Sequence, residues 1–276
     1  MAFQISPLQE VQRLGSACIR ILGGNPGKFT LQGTNTYLLG TGRRRLLIDT
    51  GEGRSSWKQA LEETLIQEGA VVERVLITHW HPDHTRGIPD VMALCPEAAV
   101  FKFDPEAGQA PIADGQTFTV DGVTLVAYHT PGHTEDHVIF VFTEERSMFT
   151  GDNILGHGTA VFEDLSSYLG SLERMKGLFT GRAYPGHGPV VEDGPLKILE
   201  YLQHRQDREA QVVKLLTSAR PDSGLPGPWT ITELVQTIYS DIPTELHLPA
   251  SRGVLQILAK LEGESRVIRE RNMWRL

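Results

Sequence analysis

Residues 78–87 read THWHPDHTRG and follow the apolar run VERVLI at 72–77. Three histidines and one aspartate, His79, His81, Asp83 and His84, fall within six positions. A surface loop gains nothing from so many imidazoles, and a core does not bury them without partners. A strand that ends in such a cluster carries it on a rigid edge, where functional loops are often mounted. In an extended stretch His79 and His81 alternate with Trp80, so they point to one side. Pro82 suits the first position of a helical turn, because it has no amide hydrogen to satisfy. That turn aims Asp83 and His84 at a second point. The pattern predicts two neighbouring metal ions, each served by one pair.

Four donors do not complete two sites, and the rest of the chain offers three more. PGHT (131–134) carries His133, TGD (150–152) carries Asp152 and PGHG (185–188) carries His187. Each follows an expected strand and sits in a glycine-containing turn, where backbone can approach closely. Imidazole with carboxylate suits zinc, and also iron or manganese. Closed structural zinc sites usually rely on cysteine, and this set contains none.

The chain has 276 residues, 40% of them hydrophobic, and a net charge of −8 at pH 7. One large domain with an appendage fits that length, and the charge disfavours a polyanion partner. Cys18 and Cys95, the two cysteines, are far apart and match no metal or redox spacing; buried reduced thiols are expected. Residues 1–22 hold no continuous apolar stretch of the signal-peptide kind, and no run reaches the ~18 apolar residues of a membrane helix. The expectation is a cytoplasmic protein without membrane attachment, its oligomeric state open and a homo-oligomer included.

Short β-branched or aromatic runs predict strands at Ile19–Leu22, Thr36–Leu39, Leu46–Asp49, Val75–Thr78, Val100–Phe103, Val123–His129, Val138–Phe142 and Met148–Thr150. Helices are expected at Ser56–Glu68 behind serine caps, at Gly87–Leu94 and at Ser167–Leu178. After Val191 the pattern turns helical: Leu196–Ser218, a Pro/Gly-rich linker at 219–229, then Thr230–Ser240 and Ala250–Glu262. A hairpin at 265–276, turning near Asn272, completes a winged-helix-like tail. The division falls into a catalytic unit at 1–192 and a helical unit at 193–276. The first carries 15 basic and 23 acidic residues, the second 11 of each.

Taken in order, HxHxDH followed by His133, Asp152 and His187 resembles the metallo-β-lactamase superfamily. The resemblance implies a four-layer αββα sandwich with a dinuclear site at one edge, followed here by the C-terminal helical, winged-helix-like domain. Carried over by position, His79, His81 and His133 bind one ion, Asp83, His84 and His187 bind the other, and Asp152 bridges both. Two zinc ions are the expected cofactors. Paired ions of this kind lower the pKa of a shared water towards about 7, and Asp83 is placed to orient the resulting hydroxide.

NPGKFTLQGTNTYLLGTG, LIDTGEG, GDNILGHGTAVFEDL and YPGHGPVV further resemble the lactamase-beta-2-like branch. Within it the wording is most similar to fungal stand-alone thioesterases that release aromatic polyketides from the acyl carrier protein of a synthase. The expected activity is therefore thioester hydrolysis, with that carrier protein as partner. A thiolate leaving group, with a pKa near ~8.5, hardly needs a proton. Two alternatives stay beside it: a single-strand-specific endoribonuclease of the same branch, and a non-catalytic metal-binding scaffold. RNA binding draws on cationic neutralisation of phosphates, which an acidic chain supplies poorly. Common zinc β-lactamases carry cysteine at the place of Asp152, so antibiotic hydrolysis is disfavoured.

Five histidines lie outside the set. His129 and His137 are read as hydrogen-bonded sheet residues or as partners of ligands, and His157 as a pocket residue or one with a bland role. His204 is expected on a solvated helix face, and His247 beside the pocket only if the tail folds over it. Phe29, in the glycine-rich segment 23–37, is expected beside the metal edge. The Arg266, Arg269, Arg271 and Arg275 set with Trp274 is read as a solvated hairpin face.

Overall fold

The computed structural model describes residues 6–220, 224, 227–240, 243 and 247–276. A first sheet runs in chain order across β1 (Val11–Gly15), β2 (Cys18–Leu22), β3 (Asn35–Leu39), β4 (Arg44–Ile48), β5 (Val71–Leu76), β6 (Ala99–Lys102) and β7 (Ala110–Pro111). It is antiparallel from β1 to β4 and parallel from β4 to β7. Parallel neighbours need crossovers. Helix α1 (Ser55–Glu68) links β4 to β5, and α2 (Pro82–Thr85) with α3 (Ile88–Leu94) links β5 to β6.

The second sheet holds β8 (Thr117–Val120), β9 (Val123–His129), β10 (Val138–Phe142), β11 (Ser147–Gly151) and β12 (Ala183–Pro185). Its order is β12-β11-β10-β9-β8, and α4 (Leu165–Lys176) crosses between the parallel strands β11 and β12. Beyond it come α5 (Gly194–Thr217), β13 (Trp229–Thr230), α6 (Ile231–Ile238), α7 (His247–Gly263), β14 (Ile268–Glu270) and β15 (Met273–Arg275). The last three strands form a small sheet, β13-β15-β14.

Three buried clusters mark the seams of a four-layer stack. Trp57, Leu61 and Leu65, spaced four apart on one face of α1, pack on Ile21, Leu38 and Val75 of the first sheet. Between the sheets Tyr37, Leu46 and Ile48 face Leu125, Phe140 and Phe149. On the outer side of the second sheet Ile139 and Met148 meet Leu172 of α4, and the same cluster runs on through Tyr201, Val254 and Trp274. Burying one such large side chain contributes about 1.5–3 kcal/mol, so each seam holds its layers firmly. The C-terminal elements therefore continue the core of the second sheet.

All eight expected strands fall in observed ones, with shifted ends. Val75–Thr78 belongs to a strand that stops at Leu76, which leaves Thr78 in the loop that carries the histidines. Four short strands escaped the pattern reading, and a fifth, β12, matches the strand expected ahead of PGHG without bounds. β1 is a largely polar edge strand, and β7 and β13 have two residues each. β8 alternates over only four residues, and β12 ends in proline after three. Helix α1 ends at Gly69 in the left-handed conformation as expected, but no serine caps it. Its N-cap is Arg54, without a side-chain cap bond, and both serines lie inside the first turn.

Helix α5 opens at Asp193, whose carboxylate accepts from the Leu196 amide, with Pro195 in the first turn. Of the expected linker, positions 221–223, 225 and 226 lie outside the described residues. Trp229 at its end is a buried strand residue paired with Trp274. Both cysteines are free and buried. Among the described residues no helix is long and apolar enough to cross a membrane.

Candidate metal centre

The two sheets bring the seven expected side chains to one edge. His79, His81, His133 and Asp152 form one group of converging donor atoms, and Asp83, His84 and His187 form another. Asp152 faces both. Its Oδ2 lies 3.6 Å from His133 Nε2 and 3.2 Å from His187 Nε2, and its Oδ1 lies 3.5 Å from His84 Nε2. Asp83 Oδ2 stands 3.3 Å from Nε2 of both His84 and His187.

Turns after strands place the later donors. Asp152 follows β11 directly, and His187 stands two residues beyond β12. Between them Gly186 is obligatory: a Cβ there would run into Asp152 Oδ1 and crowd His84 Cε1. Asn35, at the start of β3, donates from Nδ2 to the carbonyls of Pro185 and Gly188 at 2.8 and 2.9 Å. Its amide donates to Gly186 O at 2.7 Å, so the first sheet clamps the loop that carries His187.

Hydrogen bonds on the outer nitrogens fix which ring atom faces inward. Thr78 donates its hydroxyl to Asp49 Oδ2 at 2.8 Å, so its oxygen takes the proton of His79 Nδ1, 2.9 Å away. His133 Nδ1 donates to the Val161 carbonyl at 2.8 Å. His84 Nδ1 meets Asp49 Oδ2 at 2.7 Å. Each of these rings turns Nε2 to the cluster, whereas His81 presents Nδ1. Pinning the outer nitrogen in this way is how proteins orient metal-binding imidazoles.

The charges follow from burial and neighbours. Burial, reinforced by the surrounding imidazoles, pushes His79 well below its ordinary pKa, and it pulls His81 down to about 4. Both are neutral at pH 7 with a lone pair to offer. Burial also opposes charge on His84 and His187, but carboxylates outweigh it. Asp49 and Asp152 hold His84 well above its usual value, and Asp152 with Asp83 raises His187 to about 9. Against burial, these histidines hold Asp83 and Asp152 far below the carboxylate range.

These residues fit a metal. His79 Nε2 and His81 Nδ1 approach to 2.9 Å, and His133 Nε2 and His81 Nδ1 to 3.1 Å. His79 and His81, both neutral, bring ring nitrogens together in the way a bound cation would satisfy. His84 Nε2 and Asp152 Oδ1 are buried without a hydrogen-bond partner, a costly state that coordination would relieve.

Five of the donors, His81, Asp83, His133, Asp152 and His187, line a cavity of about 320 Å³ with Phe29, Leu31, Leu155, His157 and Val161. Phe29 therefore stands at the pocket as expected, and His157 takes the pocket place of its two readings. His137 is buried and accepts the Asp152 amide on Nε2 at 3.1 Å, so it is a partner of a donor residue. His129 stacks on Phe103 at 3.9 Å and bonds the Glu135 carbonyl, the plain sheet role. His204 is half-buried rather than solvated. His247 bonds the Tyr239 carbonyl and does not line the cavity. A larger groove, about 790 Å³ between α4, α5 and α7, includes none of the seven donors.

Asp49 and Thr34 are the residues that the donor reading passed over. Asp49 ends the run RLLID, so an acid at a strand's end was the available signal. It holds φ at 57°, an uncommon conformation for a non-glycine residue, and aims its carboxylate at Thr78 and His84. Thr34 donates its hydroxyl to Asp83 Oδ2 at 3.0 Å.

The metallo-beta-lactamase superfamily family model matches residues 29–187, which span all seven donors. The chain belongs to the metallo-beta-lactamase superfamily. A second family model, the beta-lactamase associated winged helix domain, matches residues 230–274 of this superfamily member. It is 45% identical over 268 residues to the lactamase-like protein adaB of Aspergillus niger, covering 94% of this chain and 84% of that one. It is 46% identical over 273 residues to an atrochrysone carboxyl ACP thioesterase of Passalora fulva, covering 96% of this chain and 81% of the relative. Its fold is shared with a metallo-beta-lactamase family protein from Thermus thermophilus, with a TM-score of 0.74 at 24% identity, covering 95% of this chain and 99% of the other.

Proposed function

We propose that this chain is a thioester hydrolase that releases an aromatic polyketide from the acyl carrier protein of a polyketide synthase. The observation that carries the reading is the two-part donor cluster opening into an apolar pocket. The names of the relatives, atrochrysone carboxyl ACP thioesterases among them, supply the substrate class. Residues 1–192 form the catalytic unit and 193–276 the appended one. His79, His81 and His133 would hold one zinc ion, Asp83, His84 and His187 would hold the second, and Asp152 would serve both. Iron or manganese would suit the same donors. When bound, the ions supply Lewis acidity and a water acidic enough to attack at neutral pH.

The chain's own residues do the rest. Asp83, whose Oδ2 accepts the Thr34 hydroxyl, orients the attacking water. His81, His133 and Asp152 form the pocket floor, so the thioester carbonyl must be presented to them. Phe29, Leu31, Leu155 and Val161 give the acyl group apolar walls and keep bulk water out. The thiolate leaves without an acid, since its pKa is near ~8.5.

The arginine-bearing hairpin does not favour RNA as substrate. Arg266 pairs with Glu209 and Glu264, Arg275 pairs with Glu270, and Trp274 is buried. The test is one metal-replete preparation assayed on an aromatic acyl thioester of a carrier protein and, in parallel, on single-stranded RNA. Thioester turnover that vanishes in His84→Ala, with RNA intact, is expected. RNA cleavage with the thioester untouched would overturn the reading, and no turnover of any ester, thioester or phosphodiester would leave a metal-binding scaffold.

A further inference from the structure

We propose that Tyr201 and Arg205, one turn apart on α5, are positioning residues that hold the acyl-binding wall of the pocket in place. The inference deepens the thioesterase reading and rests on it. The wall is the irregular segment 155–162, which brings Leu155, His157, Gly158, Thr159, Ala160 and Val161 to the cavity. Among the described residues, backbone bonds fasten it near its ends. Gly156 donates to His187 O at 2.8 Å, and Glu163 donates to Gly132 O at 2.7 Å.

Side chains of α5 hold the middle. Tyr201 is buried; its hydroxyl accepts the Leu155 amide at 3.1 Å and donates to Gly158 O at 3.0 Å. Arg205 donates to Ala160 O at 2.8 Å, and its guanidinium lies over the rings of Phe162 at 4.7 Å and Tyr168 at 5.8 Å. The next carbonyl, Val161 O, is the one that orients His133. Residues of α5 thus reach the pocket through hydrogen bonds to the segment's backbone, without lining it. A segment with no ladder of its own depends on such bonds for its shape. This gives the helical C-terminal part a role in substrate fit that needs no contact with substrate.

The test uses the full-length metal-loaded chain, Tyr201→Phe and Arg205→Met, with Arg205→Lys as the conservative variant. Amide hydrogen exchange is read over 155–162, and KM and kcat are read on an aromatic and on an acetyl carrier-protein thioester. Expected are faster exchange confined to 155–162, unchanged metal content and KM for the aromatic thioester raised about tenfold, the scale of lost hydrogen bonds. The acetyl substrate should change little, and kcat should fall less than KM rises. Arg205→Lys should recover part of the loss.

Wild-type exchange over 155–162 in both Tyr201→Phe and Arg205→Met would overturn the clamp, whatever the substrate proves to be. Faster exchange with no change in the aromatic-to-acetyl KM ratio would overturn its role in fit. If the wild-type chain turns over no thioester, the role in acyl fit falls with the substrate reading, while the exchange arm still decides whether α5 holds the segment.

Discussion

Asp49 Oδ2 stands 2.7 Å from His84 Nδ1 and accepts the Thr78 hydroxyl whose oxygen meets His79 Nδ1. One buried carboxylate therefore orients a histidine in each half of the donor cluster. Asp49→Asn keeps the shape and tolerates φ of 57°, since asparagine is among the residues that enter the left-handed region. It removes the charge and gives one oxygen in place of two. Metal affinity should drop about 10–100-fold, measured by competition with a chelating indicator, while far-UV circular dichroism stays unchanged. Wild-type affinity in Asp49→Asn would show that the carboxylate only braces the turn.

Asp152 is the donor that belongs to both halves, with oxygens within 3.6 Å of His133, His84 and His187 nitrogens. Asp152→Ala should abolish turnover with the fold largely intact. His84→Ala should do the same, because it removes a donor, while Asp49 keeps the Thr78 amide and hydroxyl as partners. Activity on the carrier thioester and metal content by elemental analysis check both variants. Near-normal rates in metal-replete Asp152→Ala protein would rule out a shared role for its carboxylate.

The donors were legible in the sequence because chemistry fixes their types and the strand-then-turn context fixes their place. What supports them was not. Asp49 is an ordinary acid until the fold brings it to His84 across 35 positions of chain. Asn35 looks like a strand residue, yet its side chain bonds carbonyls about 150 positions away. His137 reads equally as a sheet histidine or as a partner of a donor, and only the fold decides, by placing the Asp152 amide on its ring. In the same way β12, expected ahead of PGHG but without bounds, has only three residues, although it carries His187 to the edge. Non-local pairing decides these roles, and periodicity carries no trace of it.

Loading the centre should release protons. Without metal, His187 titrates at about 9 and His84 well above its ordinary value, so both are protonated at pH 7. Coordination through Nε2 must displace those protons. Affinity should therefore rise with pH through neutrality and flatten as His187 loses its proton near 9. Stability of the metal-free chain should run the other way. Because folding raises the His187 pKa, its contribution is complete below about 6.5 and lost as pH climbs through about 9. Calorimetric titrations in buffers of different ionisation heat check the first expectation, and thermal unfolding of chelator-treated protein between pH 6 and 10 checks the second. Metal uptake with no proton release at pH 7 would contradict the charge arrangement.

Asn35 separates holding a ligand loop from binding the metal. Its Nδ2 satisfies two buried carbonyls, on Pro185 and Gly188, that flank the His187 turn. Asn35→Ala would strip both of that donor, though Tyr37 Oη still donates to Pro185 O at 2.7 Å. One carbonyl thus keeps a partner and the other loses its own, a cost of about 1–3 kcal/mol. The melting temperature should fall by several degrees. Because Asn35 touches no donor atom, the half of the cluster that contains His187 should weaken while the half built on His79, His81 and His133 keeps its affinity. A stepwise metal titration followed by cobalt substitution spectra would resolve the two halves. Equal weakening of both would mean that Asn35 supports the whole edge, and no weakening of either would mean that Tyr37 and the backbone bond to Gly186 suffice.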